Sequence, residues 1–359
     1  MIRKILLGLL AFASPAPLLL AQATPSPALL VLAKQDQTLA IVDPTTLKVV
    51  ARIPTGPDPH EVVASSDGRY AYASNYGFGA YHTISVADLV AQKELPPIDV
   101  GVLHSPHGLD YAGGKLYFTA EINKIIGRWD PQTHQIDWLL GTGQNRTHMV
   151  VVSKDLNHIY TSNVVAGTIS IFDRTTDPEG GTHPGGPGGM PPLPMGAPPP
   201  PPPPPGRPTS GWNETVLPSG PGSEGFDVSP DAHEIWAANA GDGTVTIMDP
   251  IAKKVVAHLN VDVPGANRLK FTPDGERVFV SSLRTGEVTV IDAASHNVIT
   301  RIKVGHGAAG ILMQPDGARV YVACSPDNNV AVIDLKTLQI VGRIDSGRGP
   351  DGMAWAVRP

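Results

Sequence analysis

The sequence predicts an all-β fold, a seven-bladed β-propeller with four antiparallel strands per blade, closed by the C-terminal strand pairing with the N-terminal strands. Three observations carry that expectation. A strand ending in aspartate recurs about every 42 residues. A turn and a second strand precede it in fixed order. The chain also starts and stops part-way through one unit.

The aspartate strands come first. TLAIVD ends at Asp43, TISVAD at Asp88, IIGRWD at Asp130, TISIFD at Asp173, TVTIMD at Asp249, VTVID at Asp292 and VAVID at Asp334. Their spacings are 45, 42, 43, 76, 43 and 42 residues, so one unit carries an insertion. Apolar and polar residues alternate at period two, which excludes a helical solenoid. Upstream of six of them lie Ser66-Asp67-Gly68, Gly113-Gly114, Lys154-Asp155, Pro230-Asp231, Pro273-Asp274-Gly275 and Pro315-Asp316-Gly317. This is turn chemistry, with glycine free to take positive φ. The strand-ending aspartates lead into turns such as Asp43-Pro44-Thr45-Thr46. They are read as acceptors of backbone N–H groups rather than as calcium ligands.

The next strand carries Tyr72-Ala73-Ser74-Asn75, Tyr117-Phe118-Thr119-Ala120, Tyr160-Thr161-Ser162-Asn163, Trp236-Ala237-Ala238-Asn239, Phe279-Val280-Ser281-Ser282 or Tyr321-Val322-Ala323-Cys324. On this tetrapeptide the chain resembles the YVTN-repeat propeller family over roughly residues 29 to 359. The resemblance implies the fold. It implies no single function, because propellers of this family serve several.

With strands a to d running outward from the axis, strand a is expected to begin at His60, His107, His148, Glu224, Asn267, Ala309 and Asp351. The chain begins on a strand b at Leu30 to Ala33 and ends on a lone strand a at Asp351 to Val357. Pairing the two closes the ring and removes an open sheet edge.

Outside the repeat, Arg3 and Lys4 precede an apolar run, Ile5 to Leu20, and an Ala21-Gln22-Ala23 ending. That is an export signal over 1–23, placing the mature chain in the periplasm or outside the cell. The alternative, an uncleaved anchor, fits poorly with Pro15 and Pro17; no later segment is long and apolar enough for a membrane span. Residues 24–359 form one propeller domain. A Gly/Pro-rich insertion at about 174–211 includes eight consecutive prolines, Pro198 to Pro205. It reads either as a tolerated loop expansion or as an arm for a proline-binding partner. A net charge of −6 without a basic cluster excludes a nucleic-acid footprint. Without a C-x-x-C-H sequence, c-type haem attachment is excluded, and the single Cys324 permits no internal disulfide.

The aligned starts of strand a are the site candidates. His60, His107, His148, Glu224, Asn267 with Arg268, and Asp351 converge at one mouth of the channel. Asn75, Glu121, Asn163 and Asn239 join them from the b–c turns. A rigid polar mouth of this kind suits a small molecule or a partner's loop. Three imidazoles, His60, His107 and His148, also match the ligand type of a divalent transition metal. A third use is hydrolysis, with His60, His107 or Glu121 as base and Arg268 steadying an oxyanion. The architecture resembles propeller lactonases, which implies sugar-lactone hydrolysis in such a mouth, although no diagnostic motif of theirs matches here residue by residue.

Overall fold

The structure, a computed structural model, describes residues 22–176 and 210–359. The export signal, apart from its last two residues, and the body of the Gly/Pro-rich insertion lie outside the described residues. The strands flanking the insertion are longer than expected. Strand c of that blade runs on past Asp173 to Thr175, and strand d resumes at Gly211.

Seven four-stranded antiparallel sheets form the ring. Blade 1 comprises Ala28–Ala33, Thr38–Asp43 and Lys48–Pro54, with Pro350–Ala356 as its innermost strand. Leu29 stands opposite Trp355 and Leu30 opposite Ala354, so the last strand completes the sheet begun by the first three. Ala28–Ala33 is apolar throughout and wholly buried, because neighbouring blades cover both of its faces. The innermost strands of blades 2 to 7 are Pro59–Ala64, Pro106–Ala112, Thr147–Val152, Ser223–Val228, Ala266–Phe271 and Ala308–Met313. They touch one another in succession around the axis. Each begins one residue before the expected start, so the candidate side chains occupy the second position, with Arg268 at the third.

That second position is not regular strand. In every blade the a–b pairing slips there, as between Pro59 and Val62 or Thr147 and Val150. A bulge of this kind re-aims the side chain of the unpaired residue. Hydroxyls of the YVTN-like tetrapeptide then stitch blades together. Thr119 Oγ1 accepts the Gly108 amide at 2.9 Å and donates to the His148 carbonyl of the next blade at 2.7 Å. Ser162 donates to Glu224 O at 2.6 Å and Ser281 to Ala309 O at 2.7 Å in the same way. On the third position Gly108, Gly225 and Gly352 leave no room for a Cβ against the adjacent blade's backbone.

The aspartates at the ends of strand c cap turns. Asp43 accepts the Thr45 amide at 2.8 Å, Asp88 that of Ala91 at 2.8 Å, and Asp334 that of Thr337 at 2.7 Å. Asp173 departs from the pattern and pairs with His158 and Lys253. In the a–b turns Asp155 plays a similar part. Hydrogen bonds from Ser153 and the Asn157 amide hold its carboxyl at about 2, below the ordinary 3.8. Stability from such depressed carboxylates is complete above the ordinary value and is lost as pH falls through the native one. Urea midpoints are therefore expected to fall between about pH 4 and pH 2. Asp155→Asn is expected to flatten part of that fall in a pH series of denaturation curves.

Candidate functional site

The residue just before strand a has a left-handed backbone in all seven blades. Four are glycine: Gly222, Gly265, Gly307 and Gly349. The other three are Asp58, Ser105 and Arg146, at φ of 52°, 54° and 59°. A side chain is costly in that conformation, and such residues cluster where their side chains are used. These three precede the three histidine-bearing strand starts, and each side chain is engaged. Asp58 accepts the Gly77 amide at 3.0 Å, Ser105 donates to Tyr76 O at 3.2 Å, and Arg146 Nε donates to Glu121 at 3.2 Å.

The second-position side chains surround an axial chamber of about 330 Å³. His60, His107, His148, Glu224, Asn267, Arg268 and Asp351 all line it. The fold therefore brings together the whole of the predicted strand-a set.

The predicted b-strand asparagines go elsewhere. Asn75 donates to Thr83 Oγ1 at 2.8 Å, Asn163 to Ser170 Oγ at 3.0 Å and Asn239 to Thr246 Oγ1 at 3.0 Å. They tie strands b and c within their own blades and do not line the chamber. The residue one step later reaches the chamber instead: Lys34, Tyr76, Leu283 and Ser325 line it, and Glu121 bonds to its walls. Successive side chains on a strand point to opposite sides, so one residue separates a structural amide from a site residue. Lys34, Tyr76, Phe78, Arg146 and Glu61 are the residues that sequence reasoning missed. Lys34 and Tyr76 share Glu121's place in the repeat, and Arg146 adjoins the third histidine strand. Those were the available signals.

A chain of charges crosses the chamber. Glu121 accepts from Tyr76 Oη at 2.6 Å and from Arg146, while its other oxygen meets His148 Nδ1. His148 Nε2 stands 2.9 Å from Glu224, in an ion pair bent away from a straight hydrogen bond. Arg268 pairs across the axis with Glu61, and Lys34 with Asp351 at 2.7 Å. Burial opposes charge on His148, yet Glu224 and Glu121 outweigh it and hold the ring protonated above its usual range. Burial likewise works against Glu224, but His148 and Arg268 bring its carboxyl down to about 2.

His107 behaves oppositely. Its ring lies 3.7 Å from that of His148, centroid to centroid. Burial, then the charges of His148 and the arginines, keep it neutral. Among the described residues its Nδ1 is buried without a hydrogen-bond partner, as is Arg268 Nη1, which lies 3.9 Å from Glu224. The chamber's outer wall is aromatic. Tyr76 sits 4.8 Å from both His60 and His107, and Phe78, three-quarters exposed, closes over Tyr76 at 4.7 Å.

The expected trio of metal-ligating histidines assembles only in part. His60 turns Nδ1 to the Asp58 carbonyl at 3.1 Å. Among the described residues, the group able to share an ion is His107, Glu121 and His148, with one ligand atom of each within 4.8 Å of the others. Beyond the Arg268–Glu61 pair a second chamber of about 440 Å³ continues along the axis. There Asp110 and Asp227 are structural: each accepts an amide of the next blade, Val152 at 2.7 Å and Phe271 at 3.0 Å.

No protein-family profile matches the chain, and no curated protein matches it by sequence. Solved structures do resemble it. A functionally unknown protein from Desulfotomaculum acetoxidans superposes with a TM-score of 0.69 at 12% identity, over 93% of this chain and 100% of that one. A provisionally assigned 6-phosphogluconolactonase from Bacteroides uniformis gives 0.69 at 14%, over 92% and 99%. Kuenenia stuttgartiensis hydrazine synthase gives 0.63 at 18%, over 82% and 89%. At such identities the likeness shows the fold alone.

The Arg268–Glu61 pair is buried, so its desolvation offsets much of its attraction, and removing one partner is far worse than removing both. Arg268→Met is expected to destabilise the protein by about 3–5 kcal/mol. Arg268→Met with Glu61→Gln should recover most of that loss in a urea-denaturation double-mutant cycle.

Proposed function

We propose that this chain is an exported, YVTN-type propeller that binds a small polar molecule in its axial chamber. The observation that carries the reading is the pair of buried, unpartnered groups, His107 Nδ1 and Arg268 Nη1, in residues that line the chamber. Buried polar atoms are nearly always bonded, so two orphans in residues that line one chamber point to a guest. The volume suits a sugar-sized molecule. Because carboxylates and cations in the walls are paired, they offer hydrogen bonds in fixed directions without a strong net field. The aromatic wall of His60, Tyr76 and Phe78 supplies an apolar side for the same guest.

Hydrolysis of a lactone is the second reading. It is supported by His107, a neutral imidazole able to act as base, with the guanidiniums of Arg146 and Arg268 lining the same chamber to steady an oxyanion. Two of the fold's neighbours carry a provisional 6-phosphogluconolactonase assignment, which agrees with it.

Calorimetric titration with a sugar δ-lactone and its sugar-acid product tests both readings. Binding is expected to weaken about tenfold or more in Arg146→Ala, the loss of one charge-assisted hydrogen bond, and to survive deletion of residues 178–208. Survival in Arg146→Ala with loss on the deletion would move the site to the proline-rich segment. Lactone turnover unchanged in a His107→Ala, Arg268→Ala double variant would remove the hydrolase reading.

A further inference from the structure

We propose that the side of the chamber formed by blades 3 and 4 is a site for one divalent transition ion of zinc type, ligated by His107, His148 and Glu121. The inference rests on the chamber being a binding site and names what its histidine side takes.

The three residues reach the site from two blades. His107 and His148 start adjacent innermost strands, and Glu121 follows strand b of the blade that His107 begins. The bulge in each innermost strand turns both rings inward, and all three residues are buried. Two imidazoles and one carboxylate are a zinc-type donor set that leaves a position open.

What surrounds the three donors is more telling than the donors themselves. A ligating histidine usually gives its second nitrogen to a carboxylate, and a ligating carboxylate is itself hydrogen-bonded. Here His148 faces Glu121 with Nδ1 and keeps Nε2 against Glu224. Glu121 offers Oε1 to the site while Oε2 accepts from Tyr76 and Arg146. His107 contributes a buried ring nitrogen. Glu121 is thus held from outside through Oε2, His148 Nε2 lies in an ion pair with Glu224, and among the described residues His107 Nδ1 has no hydrogen-bond partner.

One proton is the ion's counterpart. In the metal-free protein it sits between His148 Nδ1 and Glu121 Oε1. An ion entering would take the Nδ1 lone pair, release the proton to solvent and draw His107 in. The donors now lie within 4.8 Å of one another. Bonds of about 2.0–2.1 Å in a tetrahedron require separations near 3.4 Å. The hydrogen-bonded Glu121 and His148 must therefore part to admit the ion, and His107 must approach wherever its nitrogen lies beyond that separation. Charge accommodates the exchange. Glu61, Glu121, Glu224 and Asp351 outnumber Lys34, Arg146 and Arg268 by one around the chamber. A dication there meets a chamber whose acids exceed its arginines and lysine, and its open position is left to an anionic or lone-pair ligand group.

The test uses the full chain without a polyhistidine tag, stripped with a chelator, reloaded with zinc or cobalt(II) chloride, dialysed and assayed by elemental analysis. About one equivalent should be retained, the cobalt form should show the visible bands of a low-coordinate site, and loading should release protons. His107→Ala and Glu121→Gln should each weaken retention by at least about tenfold. Glu224→Gln, at a residue that meets His148 through Nε2 and not through the proposed ligating nitrogen, should weaken it about 10–100-fold. His82→Ala, outside the chamber, should leave it unchanged. Less than about a tenth of an equivalent in the unaltered protein overturns the proposal, whatever the variants do. So does undiminished retention in a folded His107→Ala, Glu121→Gln double variant. Sugar-ligand binding that persists in metal-free protein would leave the chamber's general reading standing while this one fell.

Discussion

Seven innermost strands must share one axis, and that crowding decides most of what the protein can do. Close to the axis there is no space for a regular run of side chains. The chain meets this with a bulge at the second position and with glycine at the third position of four blades, Gly108, Gly225, Gly310 and Gly352. Hydroxyls on strand b satisfy the amides that the bulge frees and reach on to the next blade. Blades are thereby locked at the radius where sequence-distant side chains meet.

The third-position exceptions are as instructive as the glycines. Glu61 and Arg268 lie on opposite sides of the ring and bond across it, dividing the axis into two chambers. Neither charge would survive burial alone. Their pairing anchors one end of a network that runs through Glu224 and His148 to Glu121, Tyr76 and Arg146. Along that network each ionised group is compensated by its neighbour, which leaves His107 as the neutral member. The chamber is therefore rigid, polar and balanced, with its unsatisfied valence concentrated at His107 and Arg268.

The ring was legible from the sequence because its evidence is repeated. The Asp43 strand, the Tyr72 tetrapeptide and the turn before it recur often enough that local ambiguity averages out, and three strands of one blade at the N-terminus with the fourth at the C-terminus dictate closure. The strand-a site residues were legible for the same reason: alignment puts His60, His107 and His148 in register with Glu224, Asn267 and Asp351. Period-two geometry set the limit. Choosing Asn75, Asn163 and Asn239 placed the b-strand contribution one residue early, on the side that ties strand b to strand c. Tyr76 and Lys34 were passed over because nothing in a single sequence marks which side of a strand end faces the axis. Arg146 sits where four other blades have glycine, so its backbone conformation, not its residue type, is the clue. Glu61 and Arg268 find each other only once the ring is closed.

Two imidazoles that meet at a tilt in this chamber hold opposite protonation states. Nitrogen-labelled histidine resonances, recorded on the metal-free protein near neutral pH, measure this directly. The account requires His148 to show two protonated ring nitrogens, as an imidazolium, and His107 to show one bare nitrogen. A neutral His148, or a His107 that titrates like a free histidine, would mean that Glu121 and Glu224 do not clamp the ring, and the balanced chamber would be wrong.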